Sequence, residues 1–336
     1  MTSKCVLGID TSNYTTSICV IDEQGEIIHE ARQLLKVPQG QRGLQQSAAL
    51  FQHIQNFPDL FRSVQPFGDR LAAVAVSEKP RPLSGSYMPV FTAGMAIAEA
   101  IAATCGVPLV KTTHQEGHIA AGEGTAGDVP TDQFLAIHLS GGTTDLLLVE
   151  RTDPGYQIRE LGSSRDLHAG QFVDRVGVAL GLPFPAGPHL ENLARVCDTG
   201  ARSHGEQADV PGFFLSAPIK GYELSFSGAE TKALRAFEEG VPKERIARAV
   251  ESCIAKGMEK LLVKAKQELQ LTHALLVGGV AANRWIRQRL VQRLQHPAVG
   301  LRLFFAEPKY STDNAFGVAR IGLKWYEKTI GTNPIL

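Results

Sequence analysis

Residues 5–33 read CVLGIDTSNYTTSICVIDEQGEIIHEARQ, in which apolar runs alternate with polar turns. Apolar residues fill positions 6–9 and return at positions 18–21, with a polar turn of Thr, Ser and Asn between them. A second turn, DEQGE, follows directly. Short apolar runs separated by tight polar turns are typical of β-strands. The chain is therefore predicted to open with a meander of strands.

The same layout returns at residues 134–161, which read FLAIHLSGGTTDLLLVERTDPGYQIREL. A strand–polar turn–strand unit that is repeated about one domain apart predicts two related α/β lobes. The alternative is one large α/β sheet whose turns resemble each other by coincidence. Apolar periodicity and glycine stops predict helices at residues 44–64, 92–106, 170–181, 188–198, 243–269, 282–294 and 313–327.

The first of these helices, residues 44–64, is predicted to bury one face, and Pro58 is predicted to kink or split it. The residues spaced for that face are Leu50, Phe51, Ile54, Phe57 and Leu60.

Composition limits the classes of function. The chain of 336 residues has 34 Lys plus Arg and 34 Asp plus Glu, so any surface that binds nucleic acid has to be a local patch. Its five cysteines form no CxxC pair, which favours reduced thiols in a cytoplasmic protein. No apolar run approaches the ~20 residues that a membrane-spanning helix needs. We therefore expect a soluble cytoplasmic protein with no membrane partner.

The two polar turns are candidate phosphate sites. Residues 11–16 and 140–144 offer hydroxyl groups, glycines and successive backbone N–H groups, which together form anion-binding nests. Each turn alone is more typical of a plain hairpin, but the duplication favours binding. The segment LLVGGVAANRWIRQRL supports a nucleotide site, because a strand runs through Gly278 and Gly279 into a helix and Asn283 can bind a ribose or base. Tight packing of the strand against the helix is the alternative.

His114 and His118 lie four residues apart in KTTHQEGHIAAG, so a helix would place them on one face, where they could share a metal ion. Gln115 follows the first histidine, so this is not the HExxH motif of a metalloprotease. Asp313, at a predicted helix start, is the best remote third ligand. The alternatives are a histidine pair that faces solvent and an aspartate that caps the last helix. Two histidines and one aspartate suit zinc or iron, and manganese is also compatible.

Taken together, the motifs resemble one family, the TsaD (Gcp, formerly O-sialoglycoprotein endopeptidase) family of tRNA threonylcarbamoyltransferases, which has the actin-like ATPase (ASKHA) fold. The resemblance covers nearly the whole chain. The segments that carry it, in chain order, are LGIDTS, HQEGHIAAG, LSGGTTDL, AGQFVDRVGVALGLPFPAGP, ELSFSGAETKAL, VGGVAANRWIRQRL and FFAEPKYSTDNA.

The resemblance implies a duplicated two-lobe α/β fold with a nucleotide cleft between the lobes. Residues 1–125 plus 314–336 would form the first lobe and residues 126–313 the second. The metal ligands would be His114, His118 and Asp313. An adenine nucleotide or threonylcarbamoyl-AMP would be held by His138, Leu139, Ser140, Gly141, Gly142, Asp174, Gly187 and Asn283.

The resemblance also implies a reaction and partners. The N6 amine of a tRNA adenine next to the anticodon would attack the carbamoyl carbon of threonylcarbamoyl-AMP, and AMP would leave. The arginines that could contact tRNA phosphates are Arg284, Arg287, Arg289 and Arg293; the alternative for them is a solvated helix face. A smaller actin-fold paralogue, or a second copy of the chain, would bind through the first-lobe helices at residues 44–64 and 92–104.

Several positions depart from the family pattern. Tyr14 stands in DTSNYTT where most members have the aspartate of ETSCDET. Thr143 replaces the histidine of SGGHT, and KPRPLSGSY places Lys79 and Arg81 where GPGLxGSL has glycines. Leu167 and Gln171 replace two acidic residues. A catalytically impaired paralogue that binds nucleotide and metal in a regulatory or scaffolding role is therefore an alternative function, and an actin-fold small-molecule kinase is another.

Overall fold

The computed structural model describes residues 3–12, 14–38, 43–199 and 213–332. Over these ranges the chain forms two five-stranded sheets with helices packed on them. None of the described helices is long and apolar enough to span a membrane.

The first sheet contains the N-terminal repeat. Its strands are β1 Cys5–Asp10, β2 Thr15–Asp22, β3 Ile27–Leu34, β4 Leu71–Lys79 and β5 Leu109–Thr113. They lie in the order β3-β2-β1-β4-β5. The first three strands form the predicted antiparallel meander, and β4 and β5 continue the sheet parallel to β1.

The second sheet contains the second repeat. The remaining strands are β6 Gln133–Leu139, β7 Thr144–Arg151, β8 Tyr156–Ser163, β9 Ile219–Lys220, β10 Glu223–Leu224, β11 His273–Val277 and β12 Arg302–Phe305. β9 and β10 form a separate short hairpin, and the others lie in the order β12-β11-β6-β7-β8. Here too an antiparallel three-stranded meander is extended by two parallel strands. This shared order confirms the predicted duplication.

Helices cover both faces of each sheet. In the described part of the chain they are α1 Gln46–Arg62, α2 Phe91–Cys105, α3 His114–Ala126, α4 Ala169–Ala179, α5 Gly187–Ala194, α6 Val196–Thr199, α7 Ser227–Glu238, α8 Lys243–Leu269, α9 Arg284–Leu294, α10 Pro308–Ser311 and α11 Phe316–Thr332. Strand residues point alternately to the two faces of a sheet. Ile9 of β1 accordingly shares an apolar cluster with Phe57 of α1 and Ala98 of α2, whereas Val6 shares one with Ala319 of α11.

Helix α3 joins the two lobes. Its Ile119 packs with Ala136 of the second sheet, and its Ala121 packs in the first-lobe cluster that contains Val6. It also crosses α11 at very close range, since a Cβ atom on Gly317 would lie 1.8 Å from the carbonyl oxygen of Gly117. Any larger residue at position 317 would force the two helices apart. The predicted lobe boundaries fall at the end of α3 and just before α11.

The predicted burial of α1 is partly wrong. The helix exists and continues through Pro58 without splitting. Phe57 and Leu60 are buried, but Phe51 is 61% exposed and Ile54 53% exposed. The buried face is rotated relative to the predicted one, because two polar residues of α1 bond to the same hydroxyl group in β2. His53 Nδ1 and Asn56 Nδ2 both lie 2.9 Å from Thr16 Oγ1.

Candidate functional site

The two predicted metal-ligating histidines lie together at the start of α3, beside Asp313. The Nε2 atoms of His114 and His118 are 3.1 Å apart. Asp313 Oδ1 lies 3.6 Å from each of them. Ligands bound to one ion at ~2.1 Å in tetrahedral geometry are about 3.4 Å apart. The three donor atoms therefore fit a single divalent cation, and we call these residues the His–Asp cluster.

Helix α3 begins at His114 because Thr113 caps it. Thr113 Oγ1 accepts a hydrogen bond from the backbone N–H of Glu116 at 3.2 Å, and the Thr113 N–H donates to Glu116 Oε2 at 3.0 Å. This reciprocal pair is a capping box, and it satisfies free N–H groups of the first turn. Glu116 is thus committed to the helix start, and it does not serve as the base of a metalloprotease.

Asp313 does not cap the last helix. The cap of α11 is Asn314, whose Oδ1 accepts hydrogen bonds from the N–H groups of Phe316 at 3.1 Å and Gly317 at 3.4 Å. The predicted helix start at residue 313 is therefore three residues early. Because the neighbouring asparagine satisfies the helix N-terminus, the Asp313 carboxylate can face the histidines.

Asp10, at the end of β1, orients the first histidine. No sequence motif predicted this role. Asp10 is fully buried, and its Oδ1 lies 3.1 Å from His114 Nδ1. The hydroxyls of Ser12 and Ser77 also donate to this carboxylate. Burial acts to raise the pKa of Asp10, but His114 and the two hydroxyls lower it to about 2. Such an outer carboxylate holds a ligating imidazole in one orientation and tautomer.

A third histidine adjoins the cluster. The ring centroid of His138, at the end of β6, lies 4.5 Å from that of His118. The side chain is buried, and neither ring nitrogen has a hydrogen-bond partner among the described residues. Burial first, and then His118 and His114, lower the pKa of His138 well below its usual value. His138 is thus a neutral imidazole beside the metal position.

The two polar turns differ in what they offer a ligand. In the first turn, Thr11 donates to the Val90 carbonyl oxygen and Ser12 donates to Asp10, so these hydroxyls serve the fold. In the second, Gly141 lines a cavity in the second lobe. The preceding Leu139 side chain belongs to the apolar core, so only its backbone could contact a ligand.

That cavity has a volume of about 470 Å³, and four of the predicted nucleotide-binding residues line it. They are Gly141, Asp174, Gly187 and Asn283. Other lining residues, not predicted, include Glu191, Glu251 and Thr312. Gly278, next to the lining residue Gly279, has a φ of +96°, and a Cβ atom there would lie 2.2 Å from the Leu139 carbonyl oxygen. The close glycine is thus needed for β11 to pass the end of β6.

Asp174 offers a carboxylate to this cavity. Its Oδ1 accepts a hydrogen bond from the Ala186 N–H at 2.7 Å, which fixes the group at the cavity wall. Burial raises the pKa of Asp174 to about 6, and the bond from Ala186 acts in the opposite direction. The second oxygen, Oδ2, accepts no hydrogen bond from any residue the structure describes, so it is available to ligand hydroxyls.

Asn283 has a structural task as well. Its Oδ1 accepts a hydrogen bond from the Ile286 N–H at 2.9 Å and so caps α9, while its Nδ2 donates to Glu251 Oε1 at 2.6 Å. Both ends of the amide are therefore engaged within the protein. Asn283 can shape the cavity, but a ribose or base would have to compete for its side chain.

Three of the four arginines predicted to contact phosphate are engaged within the protein. Arg287 donates to the carbonyl oxygens of two core residues, Ala281 and Ala306, at 2.6 Å each. Arg289 and Arg293 lie 3.8 and 3.0 Å from the carboxylate of Glu259. Arg284, in contrast, lines the cavity.

Tyr14 lies where the two lobes meet. Its ring contacts Phe184 of the second lobe edge-on, with centroids 5.7 Å apart. Burial raises the pKa of the Tyr14 hydroxyl, and the nearby carboxylates of Asp174 and Asp313 raise it further. Tyr14 is therefore a neutral phenol between the cavity, to which Asp174 belongs, and the His–Asp cluster, to which Asp313 belongs.

Comparison with solved structures identifies the fold. The chain superposes on HypF from T. kodakarensis with a TM-score of 0.62 and 14% identity, over 97% of this chain and 48% of that one. It superposes on component A of the Acidaminococcus fermentans (R)-2-hydroxyglutaryl-CoA dehydratase with a TM-score of 0.56 and 16% identity, over 96% and 99% of the two chains. The architecture is the actin-like ASKHA fold, with two duplicated α/β lobes.

Sequence comparison identifies the family. A family model described as TsaD, tRNA N6-adenosine threonylcarbamoyltransferase, matches residues 57–320. A protein of that name from Thermus thermophilus is 30% identical over 100% of this chain and 96% of its own length. Another from Thermosipho africanus is 28% identical over 98% and 97% of the two chains. The chain therefore belongs to the TsaD family of tRNA N6-adenosine threonylcarbamoyltransferases.

Proposed function

We propose that this chain transfers a threonylcarbamoyl group from threonylcarbamoyl-AMP to the N6 amine of a tRNA adenine next to the anticodon, with the help of one divalent metal ion. The observation that carries the proposal is the continuity of two sites. Thr312 lines the cavity, and the next residue, Asp313, belongs to the His–Asp cluster. An adenylate in the cavity would thus present its phosphate end to the metal position.

The metal would be held by His114, His118 and Asp313, with His138 beside it as a further neutral imidazole. Zinc and iron suit two histidines and a carboxylate, and manganese is compatible. When bound, the ion would supply positive charge to oxygens on which negative charge develops. Asp10 would keep His114 Nδ1 protonated, so that Nε2 presents its lone pair to the ion.

The residues of the cavity would bind and orient the adenylate. Asp174 would accept hydrogen bonds from ribose hydroxyls through Oδ2, and Gly187 would let the adenine approach the start of α5. Gly141 would offer its backbone N–H group to the phosphate. Ser140 and Gly142 would shape the turn, because their N–H groups donate to the Thr143 carbonyl oxygen and to Ser140 Oγ. The apolar walls, including Val173, Val280 and Ile286, would exclude water from the reactive carbamoyl group.

The transfer forms one bond and breaks another. The lone pair of N6 attacks the carbamoyl carbonyl carbon, a C–N bond forms, and the C–O bond to the phosphate breaks. AMP leaves with that bond's electron pair, and one N6 proton passes to solvent. The protein contributes mainly position and electrostatics to such a reaction.

The partners follow from the reaction and from the first-lobe surface. The tRNA would approach the mouth of the cavity, where Arg284 can contact a phosphate. A smaller actin-fold paralogue, or a second copy of the chain, would bind at α1 and α2, where Phe51 and Ile54 are exposed. Both partners imply a cytoplasmic location.

A reconstituted transfer assay tests the proposal. Purified protein would be incubated with threonylcarbamoyl-AMP, unmodified tRNA and the smaller paralogue, and the tRNA nucleosides would be analysed by mass spectrometry. We expect the modified adenosine with wild-type protein and its loss with His118→Ala. His296→Ala, which removes an exposed histidine that does not line the cavity, is the matched control. No product from metal-loaded wild-type protein would contradict the proposal.

The second candidate function is a paralogue that binds nucleotide and metal but regulates or scaffolds a true transferase. The observation in its favour is Tyr14, which brings an aromatic ring to the position of the family's aspartate. A kinase has less support, because Asp145, the carboxylate nearest the second turn, is buried and paired with Arg81 at 3.1 Å. It is therefore not free to accept a proton from a sugar hydroxyl.

A further inference from the structure

The segment between β4 and α2 belongs to the first lobe and contacts the second lobe through Arg81. It departs from the family pattern, with the sequence KPRP at residues 79–82. The Pro80 carbonyl oxygen accepts a hydrogen bond from the Gln115 N–H at 3.0 Å, and the Arg81 N–H donates to Ser86 Oγ at 3.2 Å. Prolines on both sides of Arg81 restrict the backbone further. Arg81 is therefore presented from a fixed backbone.

The Arg81 side chain bonds to two acidic residues of the second sheet. Its Nη2 lies 3.1 Å from Asp145 Oδ2 in β7, and its Nη1 lies 3.2 Å from Glu160 Oε2 in β8. From the first lobe, Gln115 Nε2 also donates to Asp145 Oδ2, at 3.3 Å. We call these four residues the inter-lobe bridge.

The bridge lies directly beside the reaction site. Gln115 is the residue after His114 of the His–Asp cluster. Asp145 is paired with His138 in the register of β6 and β7 and follows the polar turn that contributes Gly141 to the cavity. The bridge thus ties one edge of the nucleotide cavity to the helix that carries the metal ligands.

Charge makes the bridge depend on Arg81. The Asp145 side chain is wholly buried, and Arg81 is the cation that pairs with it. A buried carboxylate without its cation is costly, whereas a carboxylate that is also hydrogen-bonded and paired is tolerated. Without Arg81, Asp145 would bind a proton or draw in water, and in either case the ionic tie between the lobes would be lost. A glycine at this position, as in the family pattern, could not make the contact.

We propose that Arg81 is a positioning residue for the transfer reaction. It locks the two lobes so that the second polar turn, residues 140–144, stays at a fixed distance from the His–Asp cluster. This inference rests on the proposed transfer function, but the lock itself exists whether or not transfer occurs. Arg81 acts through Asp145 and Glu160 and touches neither the nucleotide nor the metal. It should therefore affect the rate of the bound complex more than the binding of either.

The test combines Arg81→Ala, Arg81→Lys, Glu160→Gln and the double variant of Arg81→Ala with Glu160→Gln. Arg159→Ala removes an exposed arginine from the same strand as Glu160 and is the control. We expect kcat to fall about 10- to 100-fold in Arg81→Ala with KM changed less than about threefold, because misplaced groups slow the chemical step. Arg81→Lys, which keeps the charge but contacts one acid, should be intermediate. The double variant should be no slower than Arg81→Ala alone, because both substitutions break the same contact, and metal content should stay equal.

A structural readout separates the lock from the transfer function. Amide hydrogen exchange of residues 140–145 should be at least about tenfold faster in Arg81→Ala than in wild type, because that segment loses its tie to the first lobe. Faster exchange with no transfer by wild type would support the lock and contradict only the proposed function. Unchanged hydrogen exchange with unchanged kcat in Arg81→Ala, or a double variant whose loss of kcat is the product of the two single losses, would overturn the inference. If Arg81→Ala does not fold, Glu160→Gln must show the same accelerated exchange in milder form.

Discussion

Asp10 Oδ1 lies 3.1 Å from His114 Nδ1, and this contact leaves His114 Nε2 facing His118 and Asp313. A carboxylate, an imidazole and a metal position thus form one line from the buried end of β1 to the cleft. Asp10 is itself fixed by hydroxyl groups from the first turn and from β4. The first lobe therefore orients a metal ligand through a residue that the ion would never touch.

Replacing Asp10 should weaken metal binding without abolishing it. Asp10→Asn keeps the size of the side chain but no longer stabilises the protonated Nδ1 of His114. We expect the metal affinity to fall about 10- to 100-fold, as for other outer-sphere carboxylates. Competition with a chromophoric chelator measures it. Asp59→Asn, on the exposed side of α1, is the control, and an affinity equal to wild type in Asp10→Asn would contradict the assignment.

Substitutions of Tyr14 distinguish the two candidate functions. Tyr14→Phe retains the contact with Phe184 and should leave transfer within about threefold of wild type. If the chain is an active transferase, Tyr14→Asp should lower transfer by about tenfold or more, since it removes the ring and adds a negative charge near Asp174 and Asp313, worth at least about 1.4 kcal/mol in the barrier. If the chain is an impaired paralogue, the same substitution should raise transfer. The reconstituted assay gives the sign.

Nucleoside binding should depend on the ionisation of Asp174. Its pKa is raised to about 6 by burial, so its carboxyl group is protonated in acid and ionised near neutrality. Only the ionised form offers Oδ2 as a strong acceptor to ribose hydroxyls. We expect adenosine affinity to rise as the pH increases through about 6 and the step to vanish in Asp174→Asn. Calorimetry with adenosine avoids the titration of a phosphate; Asp128→Asn, an exposed loop variant, should retain the step.

The pH dependence of the free energy of unfolding should include a contribution from Asp145. Burial raises its pKa from 3.8 to about 7, and Arg81 only partly opposes this. Because the folded state binds the proton more tightly than the unfolded state, the contribution of Asp145 to stability is full below about pH 4 and is lost as the pH rises through about 7. Asp145→Asn should remove this loss, which amounts to at most about 4 kcal/mol. Urea unfolding of both proteins across this pH range measures it; parallel pH profiles would contradict the prediction.

The sequence was informative where a pattern is local. The repeated strand–turn–strand units predicted the two meanders, and the i, i+4 spacing predicted the shared face of His114 and His118. Both depend on neighbours along the chain, so periodicity alone is sufficient. Asp313 lies almost two hundred residues away from the histidines, and no local pattern connects it to them. Its carboxylate at a predicted helix start made it the best remote candidate, and the family resemblance supported that choice.

Other features depend on contacts that no local pattern records. Phe51 is exposed because His53 turns its own side of α1 toward Thr16, a preference that apolar spacing cannot reveal. The alternative interpretation of Asp313 as a helix cap is wrong, because Asn314 caps α11. Arg81 and Asp145 are 64 residues apart in sequence, and only the folded arrangement of the two lobes brings them into contact. A buried acid at the end of an apolar strand, such as Asp10 in LGIDTS, was the one missed signal within reach.

The proposed chemistry requires a single cation bound by His114, His118 and Asp313. Metal analysis of the purified protein tests this most directly. Wild-type protein purified without chelators, then loaded with zinc or iron and desalted, should retain one metal ion per chain by elemental analysis. His114→Ala and Asp313→Ala should fold, as judged by circular dichroism, and retain none. Retention of equal metal by wild type and both variants, or by none of the three, would contradict the account.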